Sequence, residues 1–204
     1  MSVPIFTTII KRLRWLNYLS NFLLQIQSNG DNRTIQSIVA TTYHELGHAS
    51  HFALGGDRCY PWNNNSFCDD RDDLQDEILK ESWAKYIEHH LTRQWFPNYN
   101  GDRSQNMTFT QMNNTFENNG VEGKYTSLFF DLNDNNDQSN NNRSPDRPID
   151  RVSGYTTAQM QNALKNVSTL QGLSNNLLNY YSNDTQDNLQ DLIDSYNENL
   201  EPID

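Results

Sequence analysis

Basic residues are scarce in this chain, in which 15 Lys and Arg stand against 26 Asp and Glu for a formal net charge of −11. Proteins that bind the phosphate backbone of nucleic acids do so with clustered Lys and Arg. The deficit therefore argues against nucleic acid as a partner. An acidic surface of this kind favours solubility but does not predict the fold.

The chain also lacks a long uninterrupted apolar segment. Its most apolar stretch, residues 3–27, contains Lys11, Arg12 and Arg14. These charges would lie near the middle of a membrane span, which needs about 20 mostly apolar residues. In a signal peptide the basic residues precede the apolar region, whereas here they follow its start. We therefore predict neither a transmembrane segment nor an export signal in this stretch.

Cysteine is limited to Cys59 and Cys68, which flank a polar segment. Cysteine ligands of zinc usually lie about two to four residues apart, so this pair is not a zinc site. Two interpretations stay open. The cysteines form a disulfide that pins the loop between them, or they are two unrelated thiols.

Hydrophobic residues make up 35% of the chain, below the roughly 45–50% of typical globular domains. Asparagine rather than charge fills the difference, since only 20% of the residues are charged. This composition predicts a folded protein with long polar loops. A length of 204 residues is enough for one domain with a hydrophobic core.

Apolar residues recur with helical spacing along most of the chain, which predicts a mainly α fold. Thr156 or Thr157 and Thr185 are predicted to cap helices, and Gly55 and Pro97 to end them. For the apolar segment 121–132 we favour a helix over a strand. The other predicted helices span residues 12–27, 34–54, 72–95, 157–165, 169–182 and 185–198.

A calcium-like spacing occurs at residues 131–137, where Asp131, Asn133, Asn135 and Asp137 occupy alternate positions. The segment lacks the turn glycine and the later bidentate Glu of calcium-binding loops. A chain rich in Asn produces such a spacing by chance. Calcium binding is therefore not favoured.

The segment TTYHELGHASHF at residues 41–52 contains the His-Glu-x-x-His pattern of helical zinc sites. Residues four apart on an α-helix lie about 6 Å apart along the axis and about 40° apart around it, so His44 and His48 face one metal ion. Glu45 lies about 100° further round, within reach of a water on that ion. Zinc lowers the pKa of its water to about 7, and an adjacent carboxylate takes the proton.

The residues around this motif suit a helix packed beneath a metal ion. Ala40, Gly47 and Ala49 are small, and therefore let another backbone come close. Glycine inside a helix costs about 1 kcal/mol relative to alanine, so Gly47 indicates a packing requirement.

A third ligand has to come from another segment, and the helix predicted over 72–95 offers Glu77, Glu81 and Glu88. Helical periodicity excludes none of the three. Glu81 is slightly favoured because Ala84, one turn further on, lets the two helices approach while Glu81 reaches the metal.

The remaining histidines fit other positions. His51 lies about 10 Å along the axis from His44, which suits a residue that supports a ligand or lines the cleft. The metzincin pattern is excluded, since it requires glycine in place of His51 and histidine in place of Leu54. His89 and His90 are predicted to be exposed to solvent or to lie at the rim of the site.

The stretch His-Glu-Leu-Gly-His-Ala-Ser-His, followed about thirty residues later by Glu-Ser-Trp-Ala, resembles the gluzincin group of zinc metallopeptidases. Within that group it is similar to exported bacterial members. The resemblance covers about residues 35–95 and implies that zinc is held by His44, His48 and Glu81. It implies Glu45 as the general base and acid. The expected fold is a zincin-like metalloprotease core made of an active-site helix and a ligand helix.

Proteins of this kind carry an N-terminal, partly β portion ahead of the active-site helix, whereas only residues 1–34 precede it here. We therefore expect a longer, exported parent, located outside the cell or in the cell envelope as a periplasmic protein or outer-membrane lipoprotein. The expected organisation is a zincin-like catalytic core at 1–132, an Asn-rich surface loop at 133–150 and a C-terminal helical extension of the same domain at 151–204.

The expected function is zinc-dependent hydrolysis of peptide bonds in a peptide or protein substrate. Glu45 takes a proton from the zinc-bound water and returns it to the leaving amine. Candidates for stabilising the oxyanion are Tyr86, Tyr155 and His51. Two alternatives stay open: an intracellular regulatory protease with the same motif, and a non-catalytic, zinc-stabilised interaction module.

Overall fold

The computed structural model of the protein describes residues 34–55, 72–99, 114–118, 121–135 and 148–198. Within these ranges the chain is mainly helical, which confirms the predicted fold class. The helix predicted over 12–27, and both Cys59 and Cys68, lie outside them. Among the described helices, none is long and apolar enough to cross a membrane.

Two long helices are followed by a hairpin and a set of shorter helices. In chain order the elements are α1 (Ile35–Ala53), α2 (Asp72–Trp95), β1 (Asn114–Asn118), β2 (Val121–Tyr125), α3 (Leu128–Asp131), α4 (Thr157–Ala163), α5 (Leu170–Tyr180), a 3-10 turn (Gln186–Asn188) and α6 (Leu189–Glu198).

The strands β1 and β2 form an antiparallel hairpin with Asn114 opposite Tyr125 and Asn118 opposite Val121. The prediction of a helix over 121–132 is therefore wrong for its first half and right for the short α3. The connecting residues Asn119-Gly120 are the sequence typical of a two-residue hairpin turn, a signal that the apolar character of the segment hid.

Threonine hydroxyls cap several of the helices. Thr34, Thr156 and Thr169 each accept a hydrogen bond from the backbone N–H three residues further on, which begins α1, α4 and α5 respectively. Thr185 occupies the predicted N-cap position, at the start of the 3-10 turn that leads into α6, but it does not cap through its side chain. Its hydroxyl makes no cap hydrogen bond and instead accepts one from the backbone N–H of Ser153, at 3.0 Å.

The main hydrophobic core lies between α2 and the C-terminal helices. Its large buried side chains include Trp83 and Tyr86 from α2, Phe129 from α3, Leu173 from α5 and Tyr196 from α6. The Trp83 ring lies 5.8 Å from that of Tyr86 and 5.2 Å from that of Phe129, measured between ring centroids. This packing holds α2 rigidly, and the opposite face of α2 contacts α1.

Asp131 lies inside the core at the end of α3. The Ser127 hydroxyl donates to its carboxyl group at 3.3 Å, and the Tyr196 hydroxyl also donates to it. Burial and then the charge of Asp150 raise the pKa of Asp131 well above its ordinary value. Asp131 therefore ties α3 to α6 and does not begin a calcium loop.

Candidate metal centre

Helices α1 and α2 approach each other closely at Gly47 and Ala84. A methyl group added at Gly47 would lie 2.6 Å from the Cα of Ala84 and 3.3 Å from its Cβ. The Ser50 hydroxyl donates to the Gly47 carbonyl at 2.8 Å and accepts from the indole Nε1 of Trp83 at 2.7 Å. The predicted packing requirement at Gly47 and Ala84 is confirmed, since only small residues allow this contact.

Gly47→Ala is expected to destabilise the protein, although alanine favours a helix by about 1 kcal/mol. The new methyl group would meet the backbone of Ala84, which cannot rotate away. Overpacking of this kind costs about 1–3 kcal/mol, so urea unfolding should show a net loss of about 1 kcal/mol or more. Gly172→Ala in α5 is the matched comparison, because its methyl group would meet only side-chain atoms, at 3.1 and 3.2 Å. Equal stability of the Gly47 variant and the wild type would contradict this contact.

The side chains of His44 and His48 on α1 and Glu81 on α2 converge; we call them the metal cluster. The two Nε2 atoms lie 3.1 Å apart. The Glu81 Oε2 lies 3.5 Å from the Nε2 of His44, and the Glu81 Oε1 lies 3.4 Å from the Nε2 of His48. With one ligand atom from each residue, all three atoms lie within 4.8 Å of one another. Within the described part of the chain this is the one group that could hold a metal ion.

The spacing of the metal cluster fits a small tetrahedral cation. A zinc ion with ligand distances of about 2.0–2.1 Å has its ligand atoms about 3.3 Å apart. The two Nε2 atoms are 3.1 Å apart, close to that value, and each has a different Glu81 oxygen at a similar distance, 3.5 Å for His44 and 3.4 Å for His48. Three protein ligands leave a fourth position open, as in catalytic rather than structural zinc sites.

The charges around the metal cluster favour a cation. Burial lowers the pKa of His44, but its hydrogen bonds to Glu81 and Glu88 and the charges of these carboxylates raise that pKa to about 9. For Glu81, burial raises the pKa, whereas hydrogen bonds from His44 and His48 and their positive charge hold it well below its ordinary value. The carboxylates therefore stabilise positive charge here, whether a proton on His44 or a metal ion.

Glu88 orients His44 from the side away from the cluster. Its Oε2 lies 3.1 Å from the Nδ1 of His44, while the Nε2 of that ring faces the cluster. The Lys85 ammonium donates to both oxygens of Glu88, at 3.2 and 3.0 Å, and the Tyr99 hydroxyl donates to Oε1. A carboxylate at Nδ1 holds the proton on that nitrogen and leaves the Nε2 lone pair for a metal ion.

Helical periodicity left Glu88 open as a metal ligand, and the structure places it behind His44 instead. Seven residues separate it from Glu81, which puts both on one face of α2 two turns apart. The side chain of Glu77 lies outside the described residues. The Nδ1 of His48 has no hydrogen-bond partner among the residues described, so His44 is the histidine that a carboxylate orients.

Glu88→Gln is expected to weaken zinc binding by about 10–100-fold, as changes to such supporting carboxylates typically do. The amide can still accept the hydrogen bond from His44, but it lacks the negative charge that makes the ring a stronger ligand. Competition with a chromophoric chelator measures the affinity. Gln94→Ala, at an exposed position on the same helix, is the control and should bind zinc like the wild type. Unchanged affinity in Glu88→Gln would remove this role.

Glu45 lies on α1 directly after His44 and is partly exposed. Helix geometry turns it about 100° from His44 around the axis. Its partly exposed side chain therefore lies next to a ligand of the metal cluster along α1. This position suits proton exchange with a small molecule held at the cluster.

The three oxyanion candidates are buried in the core, so that prediction is wrong. Tyr155 and His51 are 0% exposed and Tyr86 is 1% exposed. The Tyr86 hydroxyl bonds that of Thr157 at 2.9 Å, and the Nε2 of His51 bonds the carbonyl oxygen of Val167 at 3.3 Å. Groups enclosed in this way have no contact with a substrate; His51 instead joins α1 to the segment after α4.

His51 is expected to make the protein less stable in acid. Burial lowers its pKa to about 4, against the ordinary 6.5 of an unfolded chain. Between these values the unfolded state binds a proton that the folded state does not, so stability is lost as the pH falls through this window. Between about pH 7.5 and about pH 5, His51 alone should lower the free energy of unfolding by about 2 kcal/mol.

His51→Gln keeps a donor for the Val167 carbonyl but does not titrate. Urea unfolding of both proteins at the two pH values should therefore show a smaller acid loss in the variant. His89, whose pKa is also lowered to about 4, is present in both proteins and cancels. An identical pH dependence in wild type and variant would exclude a neutral, buried His51.

The prediction of a solvated or rim pair is wrong for His89 only, since His90 is partly exposed, as expected at a rim. His89 is buried, and its ring lies 5.2 Å from that of Phe130 and 6.0 Å from that of Tyr99. The ring of His90 stacks on that of Tyr86 at 5.4 Å. Both histidines therefore pack as aromatic residues of the α2 core face, and neither belongs to the metal cluster.

Comparison with protein-family models, with curated proteins and with solved structures finds no match to this chain. The resemblance to gluzincins therefore stays a prediction from the motifs. The geometry of the metal cluster supports a metal ion without it.

Proposed function

We propose that the protein is a zinc-dependent peptidase that hydrolyses peptide bonds at the metal cluster. The observation that supports this most strongly is the convergence of His44, His48 and Glu81 from two helices, at separations of 3.1–3.5 Å. The carboxyl group of Glu45, which would do the acid–base work, lies next to these ligands on α1. Together they form the minimal set that hydrolysis at a metal ion requires.

Zinc is the cation that this donor set favours. Two imidazoles and one carboxylate are typical of catalytic zinc, whereas magnesium and calcium are bound mainly by oxygen atoms. When bound, zinc acts as a Lewis acid that polarises a carbonyl group and lowers the pKa of water to about 7. His44 must give up its proton to act as a ligand, so zinc would take over the positive charge that the carboxylates stabilise.

Glu45 has the central role among the protein groups. It accepts a proton from the attacking water and then donates that proton to the leaving amine. Glu88 keeps the ring of His44 in one orientation throughout, and the contact between Gly47 and Ala84 keeps the two ligand helices at their separation. The oxyanion-stabilising group must be a residue other than the three buried candidates.

A peptide substrate is supported by the resemblance of residues 35–95 to gluzincins and by the net charge of −11, which is unsuited to polyanionic substrates. Action outside the cytoplasm follows from the same resemblance and stays a prediction.

The test measures zinc and turnover in the purified protein. Elemental analysis should find about one zinc ion per chain, and a quenched-fluorescent peptide library should be cleaved, with cleavage lost to a chelator and restored by added zinc. One bound zinc without cleavage of any peptide would instead favour the non-catalytic, zinc-stabilised module. Absence of zinc would end the proposal.

A further inference from the structure

An open groove lies between the end of α4, the turn that follows it, and α5, away from the residues of the metal cluster. Its volume is about 800 Å³, within the range of roughly 300–1,000 Å³ for small-molecule sites. Polar amides and aromatic rings dominate its lining, which includes Asn162, Asn166, Asn175, Asn176, Tyr180 and Tyr181. We call it the Asn/Tyr groove.

The amides of the groove present both hydrogen-bond donors and acceptors to a ligand. Asn176 uses its Nδ2 to donate to the carbonyl oxygen of Ala163 at 2.8 Å, which fixes the side chain in the groove wall. The side chains of Asn162 and Asn166 make no hydrogen bond to any residue that the structure describes, and both are exposed. Their amide groups are therefore available to a bound molecule.

The aromatic rings supply an apolar surface beside these amides. Tyr180 is 65% exposed at the end of α5, although its neighbours Leu173 and Leu177 on that helix are fully buried. The ring of Tyr181 lies 6.5 Å from that of Tyr180, at an angle of 76°. The two rings therefore offer faces in two directions. Tyr181 is partly buried and packs against the hydrophobic core, whereas the Tyr180 ring is largely exposed.

The turn that forms one wall is held in an unusual conformation. Asn166 has a φ of +57°, and its backbone N–H donates to the carbonyl oxygen of Leu54 at the end of α1, at 3.1 Å. The adjacent Val167 carbonyl accepts from buried His51. Two hydrogen bonds from α1 thus fix the wall of the groove before any ligand binds.

We propose that the Asn/Tyr groove binds a neutral oligosaccharide. The face of a pyranose ring presents C–H groups that pack on the electron-rich face of an aromatic ring, as Tyr180 offers. Its hydroxyl groups both donate and accept, as the amides of Asn162 and Asn166 do. Lys165 is the one charged side chain among the described residues that line the groove, so no strong charge selects an ionic ligand.

Isothermal titration of the full chain with three neutral hexasaccharides tests this proposal, using β-1,4-glucose, α-1,4-glucose and β-1,4-N-acetylglucosamine oligomers. At least one should bind saturably, and Tyr180→Ala should weaken that binding about tenfold through loss of ring stacking. Asn162→Ala should weaken it as well. Trp95→Ala is the matched control, since Trp95 is an aromatic residue 71% exposed on α2 and outside the groove.

Three results would overturn the proposal. The first is saturable binding of none of the three sugars. The second is an equal effect of Tyr180→Ala and Trp95→Ala on sugar binding. The third is binding of a proline-rich peptide, but of no sugar, in a manner that depends on Tyr180. Circular dichroism of each variant verifies that it is folded, which the exposure of these side chains leads us to expect.

Discussion

Glu45→Gln is expected to abolish peptide hydrolysis while zinc stays bound. A positioned general acid–base group contributes about 10²–10⁴-fold to the rate, and the amide can neither take a proton from water nor return one to the leaving amine. Glu45 is not one of the three residues of the metal cluster, so the zinc content of the variant should equal that of the wild type. The expected loss therefore appears in kcat and not in metal content.

Two measurements separate this role from a structural one. Zinc per chain and the cleavage rate of one library-derived peptide are determined for wild type, Glu45→Gln and Asp194→Asn. The last variant makes the same carboxylate-to-amide change at an exposed position on α6, remote in sequence from the motif. Full activity of Glu45→Gln would exclude the proposed mechanism, and loss of zinc from it would make Glu45 a ligand instead.

Glu81→Ala is expected to weaken the affinity for zinc by more than about 100-fold. This loss is larger than the one expected for Glu88→Gln, which changes a carboxylate that only supports a ligand. The variant keeps His44 and His48, but two imidazoles from one helix leave half of a tetrahedral coordination shell without protein ligands. Elemental analysis after exhaustive dialysis, followed by competition with a chelator, measures the difference.

The order of the two effects on α2 is itself informative. The geometry predicts that Glu81→Ala weakens zinc binding more than Glu88→Gln. Glu81 faces both Nε2 atoms, whereas Glu88 reaches the metal cluster only through the Nδ1 of His44. The reverse order would mean that the ion binds on the other side of His44. Equal zinc content in wild type and Glu81→Ala would exclude the proposed ligand set.

Helix positions could be predicted well where the signal is local. The predicted starts of α1 and α4 agree with the structure because a threonine hydroxyl caps a backbone N–H only three residues away. The hairpin at 114–125 was missed because strand formation depends on a partner segment, and the apolar content of 121–132 does not reveal one. Thr185 is at the predicted N-cap position but makes no side-chain cap bond, because its hydroxyl bonds a residue 32 positions away.

Burial of single residues was the least predictable feature. His51, Tyr86 and Tyr155 are residue types that often bind substrates, but all three are buried in the structure. For His51 and Tyr86, no neighbouring residue in the chain indicates this burial. The bonds of His51 to the Val167 carbonyl and of Tyr86 to Thr157 both join segments more than 70 positions apart. Their enclosure is a property of the assembled core.

The sequence by itself determined the metal-facing pair: an α-helix repeats every 3.6 residues, so His44 and His48 project to one side wherever that helix lies. The same local rule excluded none of Glu77, Glu81 and Glu88, although the small Ala84 one turn further on slightly favoured Glu81. Only the tertiary structure decided between Glu81 and Glu88. The contact between Gly47 and Ala84 fixes the position of α2 along α1. In this position Glu81 lies beside both Nε2 atoms, whereas Glu88 lies beside the Nδ1 of His44.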